Sequence, residues 1–369
     1  MSLFHGLCYS NADIHLLIEY FESYSSVLKY VNFVMAILIC LVGLVGNAIV
    51  IFFLGFVMKK HKSKYWFLNL ALADFFSLLT LPVHAFSVFK GNWTFGPHIC
   101  KLFLFSLSAN MFASVLILIS LNIARVLSVA QPMFHLKFMS RRISFWICAL
   151  IWIFTIVVSV PVLYYSGEVK IGEVKLCSHI GSKSFDVVVV NNGYNVTNEN
   201  TTRDILASNI YTKFRPYFEQ CSSNKCCGGE EALSLWNHMI ATSKMLVVPF
   251  LIIGYFIPLG IVIICNITIV VHVRRSKTIN THRLYRMVLI IILVFFITWT
   301  PLVIAETVLF IAVLNMNLIL MFNVLIFMPL LITLAYSNTC FNPIVYVLTG
   351  RRMQTGLSDF ISSIRNNIT

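Results

Sequence analysis

Charged residues are scarce in this sequence, at 11% of its 369 positions, and only 14 residues are acidic. A soluble globular domain carries roughly 25% charged residues, so a surface this poor in charge could not stay dispersed in water. The scarcity excludes a soluble enzyme, a disordered protein and a coiled coil. Hydrophobic residues make up 59% of the chain instead, and the mean hydropathy is +0.85. The composition indicates an integral membrane protein.

Seven apolar runs are long enough to cross a bilayer. A spanning helix takes about 20 apolar residues, because lipid offers the backbone no hydrogen-bond partner. The runs cover about residues 31–57, 65–89, 99–129, 143–164, 245–273, 287–313 and 318–348. The sequence therefore predicts an all-α membrane protein with a seven-helix transmembrane domain over residues 31–348. Residues 1–30 precede this domain, and residues 349–369 are interpreted as an amphipathic helix and a short tail.

Lys and Arg are distributed unevenly between the two sides of the predicted bundle. The connections after the first, third and fifth runs, together with the tail, hold more than half of them, whereas residues 1–30 hold only Lys29. Because Lys and Arg concentrate on the cytoplasmic side, we expect an extracellular N-terminus and a cytoplasmic tail in a multi-pass plasma-membrane protein. The net charge of +13 is then mostly topological and makes no case for nucleic acid, although the inner loops could touch anionic membrane lipid.

A polar segment at residues 166–244 separates the fourth and fifth runs. The predicted orientation makes it a long second extracellular loop. It contains two Asn-x-Thr sequons, and we expect N-linked glycan at Asn195 and Asn200. The alternative is that both sequons occur by chance in an Asn-rich stretch.

Six of the ten cysteines lie on the predicted extracellular side. Four of them lie in the N-terminal segment and near the end of the long loop: Cys8, Cys221, Cys226 and Cys227. A metal knuckle is conceivable there, but no His pair has ligand spacing, and disulfides are favoured in an oxidising compartment. The pairing of these four cysteines stays open from sequence.

Short motifs follow one another along the runs in the order and spacing of one family. They are Gly46-Asn47, Leu70-Ala71-Leu72-Ala73-Asp74, Trp93-Thr94-Phe95-Gly96 before Cys100, Arg125 with Pro132, Trp152, Pro161, Pro258, Phe295-x3-Trp299-Thr300-Pro301 and Asn342-Pro343-Ile344-Val345-Tyr346. Together they resemble the rhodopsin-like (class A) G-protein-coupled receptors over about residues 31–355. A retinal protein would need a Lys in the last run, and residues 318–348 contain none.

The local sequence is similar to that of one cluster within the family, the chemoattractant receptors for formyl peptides and complement anaphylatoxins. The similar stretches are Trp93 to Gly96, Asn110 to Val115 and Ser337 to Pro343. The long second outer loop favours a complement anaphylatoxin receptor. The resemblance implies a receptor without enzyme activity, an extracellular peptide or protein ligand, a heterotrimeric G protein of the inhibitory class as partner, and arrestin as a further partner.

The resemblance also implies a disulfide and a buried polar site. The disulfide joins Cys100 to Cys177. The polar site is formed by Asp74, Ser114, Asn338, Asn342 and Asn47. By resemblance these residues hold a sodium ion that favours the resting state, since carboxylate, hydroxyl and amide oxygens suit a hard cation. The alternative is a purely structural hydrogen-bond network. Beyond sodium as an allosteric ligand, we expect no cofactor and no structural metal.

The residues that transmit activation by resemblance are Arg125, Phe295, Trp299, Pro301, Pro343 and Tyr346. The sequence departs from the family around the first of these. The acid that normally precedes Arg125 is Ala124, and Asn266 replaces the usual Tyr of the fifth span. Two interpretations follow: a receptor that couples to its G protein with raised basal activity, or a decoy that captures and internalises ligand without coupling.

The inward positions of the ligand-side half, taken from family spacing, are His84, Leu107, Ser108, Met111, Lys244, Phe250, Glu306 and Met328. Phe250 and Met328 stand where related receptors carry a peptide-anchoring Arg and Asp. A chemosensory receptor for environmental molecules is therefore a further alternative. Glu306 is interpreted either as the partner of a cationic ligand group or as the partner of Lys244.

Overall fold

The computed structural model describes residues 8–57, 64–138, 140–171, 174–179, 218–222, 225–228, 230–276 and 282–349. Seven of its helices are long and apolar enough to cross a membrane, over Val27–Phe56, Lys64–Lys90, Gly96–Ala130, Arg141–Tyr165, Trp236–His272, Val288–Leu314 and Ile319–Val345. The predicted seven-helix membrane fold is confirmed.

The first four spans contain five α-helices, and a sixth short helix lies between the third and fourth spans. Strand β1 (Cys8–Ser10) leads into α1 (Asn11–Phe52), which ends in a π-helical turn (Phe53–Val57). The second span consists of α2 (Lys64–Leu78) and α3 (Leu81–Lys90). The third is α4 (Gly96–Ala130), followed by the short α5 (Pro132–Phe138), and the fourth is α6 (Arg141–Tyr165).

Of the last three spans, the fifth and seventh are divided into segments and the sixth is one continuous helix. The fifth consists of α7 (Glu230–Leu251), a π-helical turn (Ile252–Phe256) and α8 (Ile257–Ser276). The sixth is α9 (His282–Leu314), and the seventh is divided into α10 (Leu318–Tyr336) and α11 (Asn338–Thr349).

Prolines mark several of the irregular turns. The π-helical turn of the fifth span lies directly before Pro258, and α3 begins with Pro82 in its first turn. Proline lacks the backbone N–H and its ring clashes with the preceding helical turn, which widens or breaks the helix there. Pro301 instead lies inside the continuous α9. The seventh span breaks at Ser337, six residues before Pro343 and next to the buried polar residues described below.

The third span is the most buried of the seven and packs against the second, fourth, fifth and sixth spans. Large apolar residues such as Leu70, Met111 and Phe295 fill the centre of the bundle. Other large apolar residues, including Trp146 and Ile297, lie exposed on the outside of the bundle. Such an apolar exterior is suited to contact with lipid tails, because apolar side chains lose nothing when they face lipid instead of protein.

The ends of the first and fifth helices differ from the predicted bounds. We expected the first span to begin near residue 31 and the long loop to extend to residue 244, but α1 begins at Asn11 and α7 at Glu230. Polar residues can continue a helix beyond the apolar stretch that predicted it. The extension of α7 is held in place by Trp236, whose Nε1 donates to the carbonyl of Val313 at 2.7 Å.

Two small antiparallel sheets lie outside these helices. Strands β2 (Gly167–Ile171) and β3 (Val174–Ser178) form a two-stranded sheet after the fourth span. Strands β4 (Phe218–Ser222) and β5 (Lys225–Gly228) join β1 in a three-stranded sheet of order β1-β5-β4.

Candidate functional site

The disulfide implied by resemblance is present in the structure. Cys100, in the first turns of α4, is bonded to Cys177 of β3 with a Cα–Cα distance of 5.4 Å. The same strand is fixed by the loop before α4: the Trp93 N–H donates to the Lys175 carbonyl and the Lys175 N–H donates to Asn92 Oδ1, both at 2.8 Å. The disulfide and these two hydrogen bonds therefore hold β3 against the start of the third span. The predicted glycan sites Asn195 and Asn200 lie outside the described residues.

The buried polar site gathers residues from the first, second and seventh spans. Asn342 Nδ2 donates to Asp74 Oδ2 at 2.7 Å, across 268 residues of sequence. Asn47 Nδ2 donates to the carbonyls of Gly43 and Thr339, at 2.9 Å each. A bare carboxylate in the membrane is costly, about 2.5–3.5 kcal/mol on the gentler scales, and interior placement with an amide donor reduces this cost.

Ser114 reaches this site through an intermediary that sequence reasoning missed. Its Oγ donates to Asn110 Oδ1 at 2.9 Å, and Asn110 lies beside the Asp74 carboxyl group. One sequence sign of a link to the site was the position of Asn110 four residues before Ser114, which places both on one face of a helix. The structure therefore extends the predicted polar cluster to include Asn110.

Several oxygens of the site have no hydrogen-bond partner within the described part of the chain. They are Asp74 Oδ1, Asn47 Oδ1, Asn338 Oδ1 and Asn342 Oδ1. Buried polar atoms are otherwise almost always paired, and an unpaired one is costly. The set consists of one carboxylate oxygen with neutral amide oxygens, which is the ligand chemistry of a hard cation. The residues present thus fit a small hard cation.

A line of aromatic rings connects the ligand-side half of the fifth span with the middle of the sixth. Phe250 and Trp299 have ring centroids 6.3 Å apart, and Trp299 and Phe295 have centroids 5.9 Å apart. Both residues of the sixth span are buried. The three rings therefore form a continuous series from Phe250 to the centre of the bundle.

Two contacts tie the proline-containing turns to neighbouring spans. The Tyr255 hydroxyl, in the π-helical turn, lies 2.6 Å from Thr300 Oγ1, the residue before Pro301. In the first span, a Cβ placed on Gly46 would lie 2.9 Å from Pro343 Cβ, so only glycine permits this approach of the first and seventh spans. Tyr255 was not foreseen from the sequence.

Arg125 is half-buried near the end of α4 and forms no ion pair with any residue that the structure describes. The neighbouring Ala124 offers no carboxylate. Asn266 donates through Nδ2 to the Val262 carbonyl of its own helix at 2.8 Å. Tyr346 lies in α11, and its side chain is outside the described part of the structure.

The predicted ligand-side residues fall into different surroundings. His84 is buried: its Nε2 lies 3.3 Å from the Pro329 carbonyl, and its ring stacks on Phe103 with a centroid distance of 4.9 Å. Ser108 Oγ lies 3.3 Å from Ser159 Oγ of the fourth span. These two residues are therefore engaged in contacts between spans.

Three apolar positions of the predicted pocket pack against the main core. Leu107 and Met111 are buried, and Met328 is half-buried. Met111 lies so close to the π-helical turn that a Cβ on Gly254 would meet its Cε at 2.9 Å.

Lys244 is a correction to the predicted pocket. It is exposed, while Thr242 and Ser243 occupy the inward side of α7 at this level. Successive helical residues are separated by about 100°, so Lys244 cannot share that inward side with both. Glu306 is half-buried in the sixth span, and no ion pair joins it to Lys244.

Comparison with known proteins places this arrangement in one family. The family model "7 transmembrane receptor (rhodopsin family)" matches residues 46–196 and 210–346, which is more than half of the chain. Chemerin-like receptor 1 of Homo sapiens is 27% identical over 321 residues, covering 85% of this chain and 73% of that receptor. Chemerin-like receptor 2 of Homo sapiens is 27% identical over 367 residues, covering 94% of this chain and 89% of that receptor.

The chain belongs to the rhodopsin family of seven-transmembrane receptors. It is a class A G-protein-coupled receptor, a multi-pass membrane protein and not an enzyme. Its similarity to chemerin-like receptors is consistent with the predicted chemoattractant cluster.

Proposed function

We propose that this receptor binds an extracellular peptide or protein chemoattractant and passes the event to a heterotrimeric G protein of the inhibitory class. The observation that carries the ligand class is the similarity to chemerin-like receptors 1 and 2. A complement anaphylatoxin, which the loop length favours, is the other candidate ligand of this class.

Glu306 is the residue that we assign to ligand recognition. Its carboxylate lies in the half of the sixth span nearer the Cys100–Cys177 disulfide, half-buried and without a Lys244 ion pair. A half-buried carboxylate gains from a cationic partner, and a charge-assisted hydrogen bond contributes roughly 1.5–3 kcal/mol. A Lys, Arg or amino-terminal group of the ligand supplies such a partner.

The ring contacts from Phe250 through Trp299 to Phe295 form the path by which ligand shifts the resting–active equilibrium. A ligand moves that equilibrium only by its difference in affinity for the two states. The close approach of Tyr255 to Thr300 joins the same region of the sixth span to the fifth. At the far end of the bundle, Arg125 engages the G protein.

The receptor is placed in the plasma membrane with its N-terminus outside and its tail in the cytoplasm, following the Lys and Arg excess in the inner loops. Those loops also meet anionic lipid, and arrestin is a second cytoplasmic partner. Glycan at Asn195 and Asn200 belongs to the same orientation.

Sodium is the allosteric ligand that we assign to the buried polar site. Asp74 supplies the negative charge, and the unpaired oxygens of Asn47, Asn338 and Asn342 supply neutral ligands. When bound there, the ion stabilises the resting arrangement of the second and seventh spans. The bond from Asn342 to Asp74 holds the carboxylate in position for it.

The decoy function is the second candidate, and one observation favours it. Arg125 follows Ala124 and makes no ion pair with the described residues, so the Arg-centred contact that normally restrains the resting state is changed. A decoy takes up ligand without activating a G protein. The chemosensory alternative rests only on the missing Arg and Asp anchors at Phe250 and Met328.

The test is G-protein dissociation in cells that express the receptor, with chemerin, complement-fragment and formyl peptides as probes. Coupling predicts a response to one of these probes that is lost in Arg125→Ala. Glu306→Gln, which keeps the size of the side chain, should weaken the potency of the active probe at least tenfold. Ligand uptake without any G-protein response would establish the decoy, and silence without uptake would remove the proposed ligand class.

A further inference from the structure

Four cysteines outside the spans fall into two facing pairs in the three-stranded sheet. In β1 and β5, Cys8 is directly opposite Cys227. In β4 and β5, Cys221 is directly opposite Cys226. We propose that Cys8 forms a disulfide with Cys227 and that Cys221 forms a disulfide with Cys226.

The backbone register selects this pairing from the three that four cysteines allow. Opposed residues in an antiparallel pair have Cα atoms about 4.5 or 5.5 Å apart, which lies within the roughly 4.4–6.8 Å that a disulfide spans. The exchanged pairing is out of register, because Tyr9 is opposite Cys226 and Gln220 is opposite Cys227.

The sheet geometry also separates the two bonds. Successive residues of a strand belong to opposite faces of a sheet, so Cys226 and Cys227 occupy different faces. Each therefore shares a face with one cysteine of a different neighbouring strand. A single metal ion would need the four thiolates to converge on one point, which two faces do not permit. The register thus favours disulfides over a metal knuckle for these four cysteines, and it indicates which cysteines pair.

A neighbouring disulfide indicates that thiols at this end of the bundle become oxidised. Strands β1 and β5 precede the first and fifth spans, on the side where Cys100, at the start of the third span, is already bonded to Cys177. Each new bond joins two thiols and releases two protons and two electrons. The electrons reduce the disulfide of a thiol–disulfide oxidoreductase to a dithiol, by exchange through a mixed disulfide.

The Cys8–Cys227 bond connects two parts of the bundle that pack separately. Strand β1 runs directly into α1, which contacts the second and seventh spans, whereas β5 precedes α7, which contacts the sixth span. The Cys8–Cys227 bond therefore ties the start of the first span to the start of the fifth. The Cys221–Cys226 bond closes the β4–β5 hairpin that provides the attachment.

Trypsin digestion of the full-length receptor separates the cysteines suitably. Cleavage after Lys29, Lys213, Lys225 and Lys244 leaves Cys8 in peptide 1–29, Cys221 in peptide 214–225 and the vicinal pair in peptide 226–244. The receptor is purified from cells, alkylated with N-ethylmaleimide and digested without reduction. The proposal predicts one species that contains all three peptides. Peptide 1–29 linked to 214–225, with 226–244 unlinked, would overturn it.

Fragmentation of that species between Cys226 and Cys227 assigns each bond in the unmodified receptor, whether or not variants fold. Peptide 1–29 on Cys227 and 214–225 on Cys226 supports the proposal, and the exchanged arrangement refutes it.

Matched double variants give a second test. Cys8→Ser with Cys227→Ser should keep the hairpin bond, whereas Cys8→Ser with Cys226→Ser should leave two alkylated thiols. A Cys221–Cys227 bond in the latter variant would contradict the register. Cys148→Ala, which removes a buried thiol of the fourth span, is the control and should leave all links intact.

Discussion

Tyr255 and Thr300 bring their hydroxyl groups to within 2.6 Å of each other, between the π-helical turn of the fifth span and the turn before Pro301 in the sixth. Thr300 Oγ1 also donates to the Phe296 carbonyl in its own helix. The pair thus links the π-helical turn of the fifth span to the helical turn before Pro301 in the sixth. Trp299, the neighbour of Thr300, carries the ring contact to Phe250.

Removing this hydroxyl contact should destabilise the bundle slightly. Tyr255→Phe deletes the hydroxyl and keeps the ring, and hydrogen bonds between membrane helices contribute about 0.6 kcal/mol on average. We expect the unfolding midpoint of the purified receptor to fall by about 1–2 °C. Tyr164→Phe, at an exposed position, is the control and should leave the midpoint unchanged. Equal midpoints for Tyr255→Phe and the unmodified receptor would show that the contact contributes nothing.

Asp74→Asn tests the proposed sodium site without requiring a known ligand. Sodium that binds only the folded receptor raises its stability by mass action. We expect NaCl to raise the unfolding midpoint above that in N-methyl-D-glucamine chloride of equal ionic strength, and this difference to vanish in Asp74→Asn. Glu168→Gln, which removes an acid that pairs with Lys175 outside the spans, should retain it. The same sodium response in Asp74→Asn would exclude Asp74 as the ion's ligand.

Two glycines of the spans should respond in opposite ways to the same substitution. In Gly46→Ala the new Cβ meets Pro343 Cβ at 2.9 Å, so the first and seventh spans must separate. Overpacking of this kind costs about 1–3 kcal/mol. Gly260→Ala meets nothing within 4 Å, and alanine favours the helix by up to about 1 kcal/mol. Thermal unfolding should therefore rank Gly260→Ala at or above the unmodified receptor and Gly46→Ala below it. A stable Gly46→Ala receptor would argue against the close approach.

Ala124→Asp should lower agonist-independent signalling if Arg125 is unrestrained at rest. The new carboxylate lies next to Arg125 in the chain and supplies the ionic partner that the described residues lack. Basal G-protein dissociation is the measurement. Ala124→Asn is the matched control, since it has nearly the same size without the charge, and it should leave basal signalling higher than Ala124→Asp does. Equal basal signalling in both variants would refute the unrestrained-Arg interpretation.

The apolar runs predicted the seven spans because a membrane-spanning segment must be long and nearly uncharged. It must also be helical, so that its backbone groups hydrogen-bond to one another. The helix ends escaped prediction at Asn11 and Glu230, because polar residues continue a helix beyond the stretch that the membrane requires. Family motifs brought Asp74 and Asn342 into one expected cluster, and the structure joins them directly. Asn110 and Tyr255 carried no comparable sequence sign.

Lys244 shows why the inward side of a span is hard to predict from sequence. A membrane helix is apolar on the side that faces lipid as well as on the side that faces the bundle, so no polar stripe marks its rotation. Spacing from a family motif placed Lys244 inward, whereas the fifth span directs Thr242 and Ser243 there.

The sequence by itself determined the class of protein, since its shortage of charge, its seven apolar runs and its ordered motifs are local properties of the chain. Tertiary structure alone decided which distant residues meet: Tyr255 with Thr300, Ser108 with Ser159, and Cys8 opposite Cys227. The physical reason is that these contacts depend on the rotation of each helix and the register of each strand. Both are set by packing between segments that lie far apart in the chain.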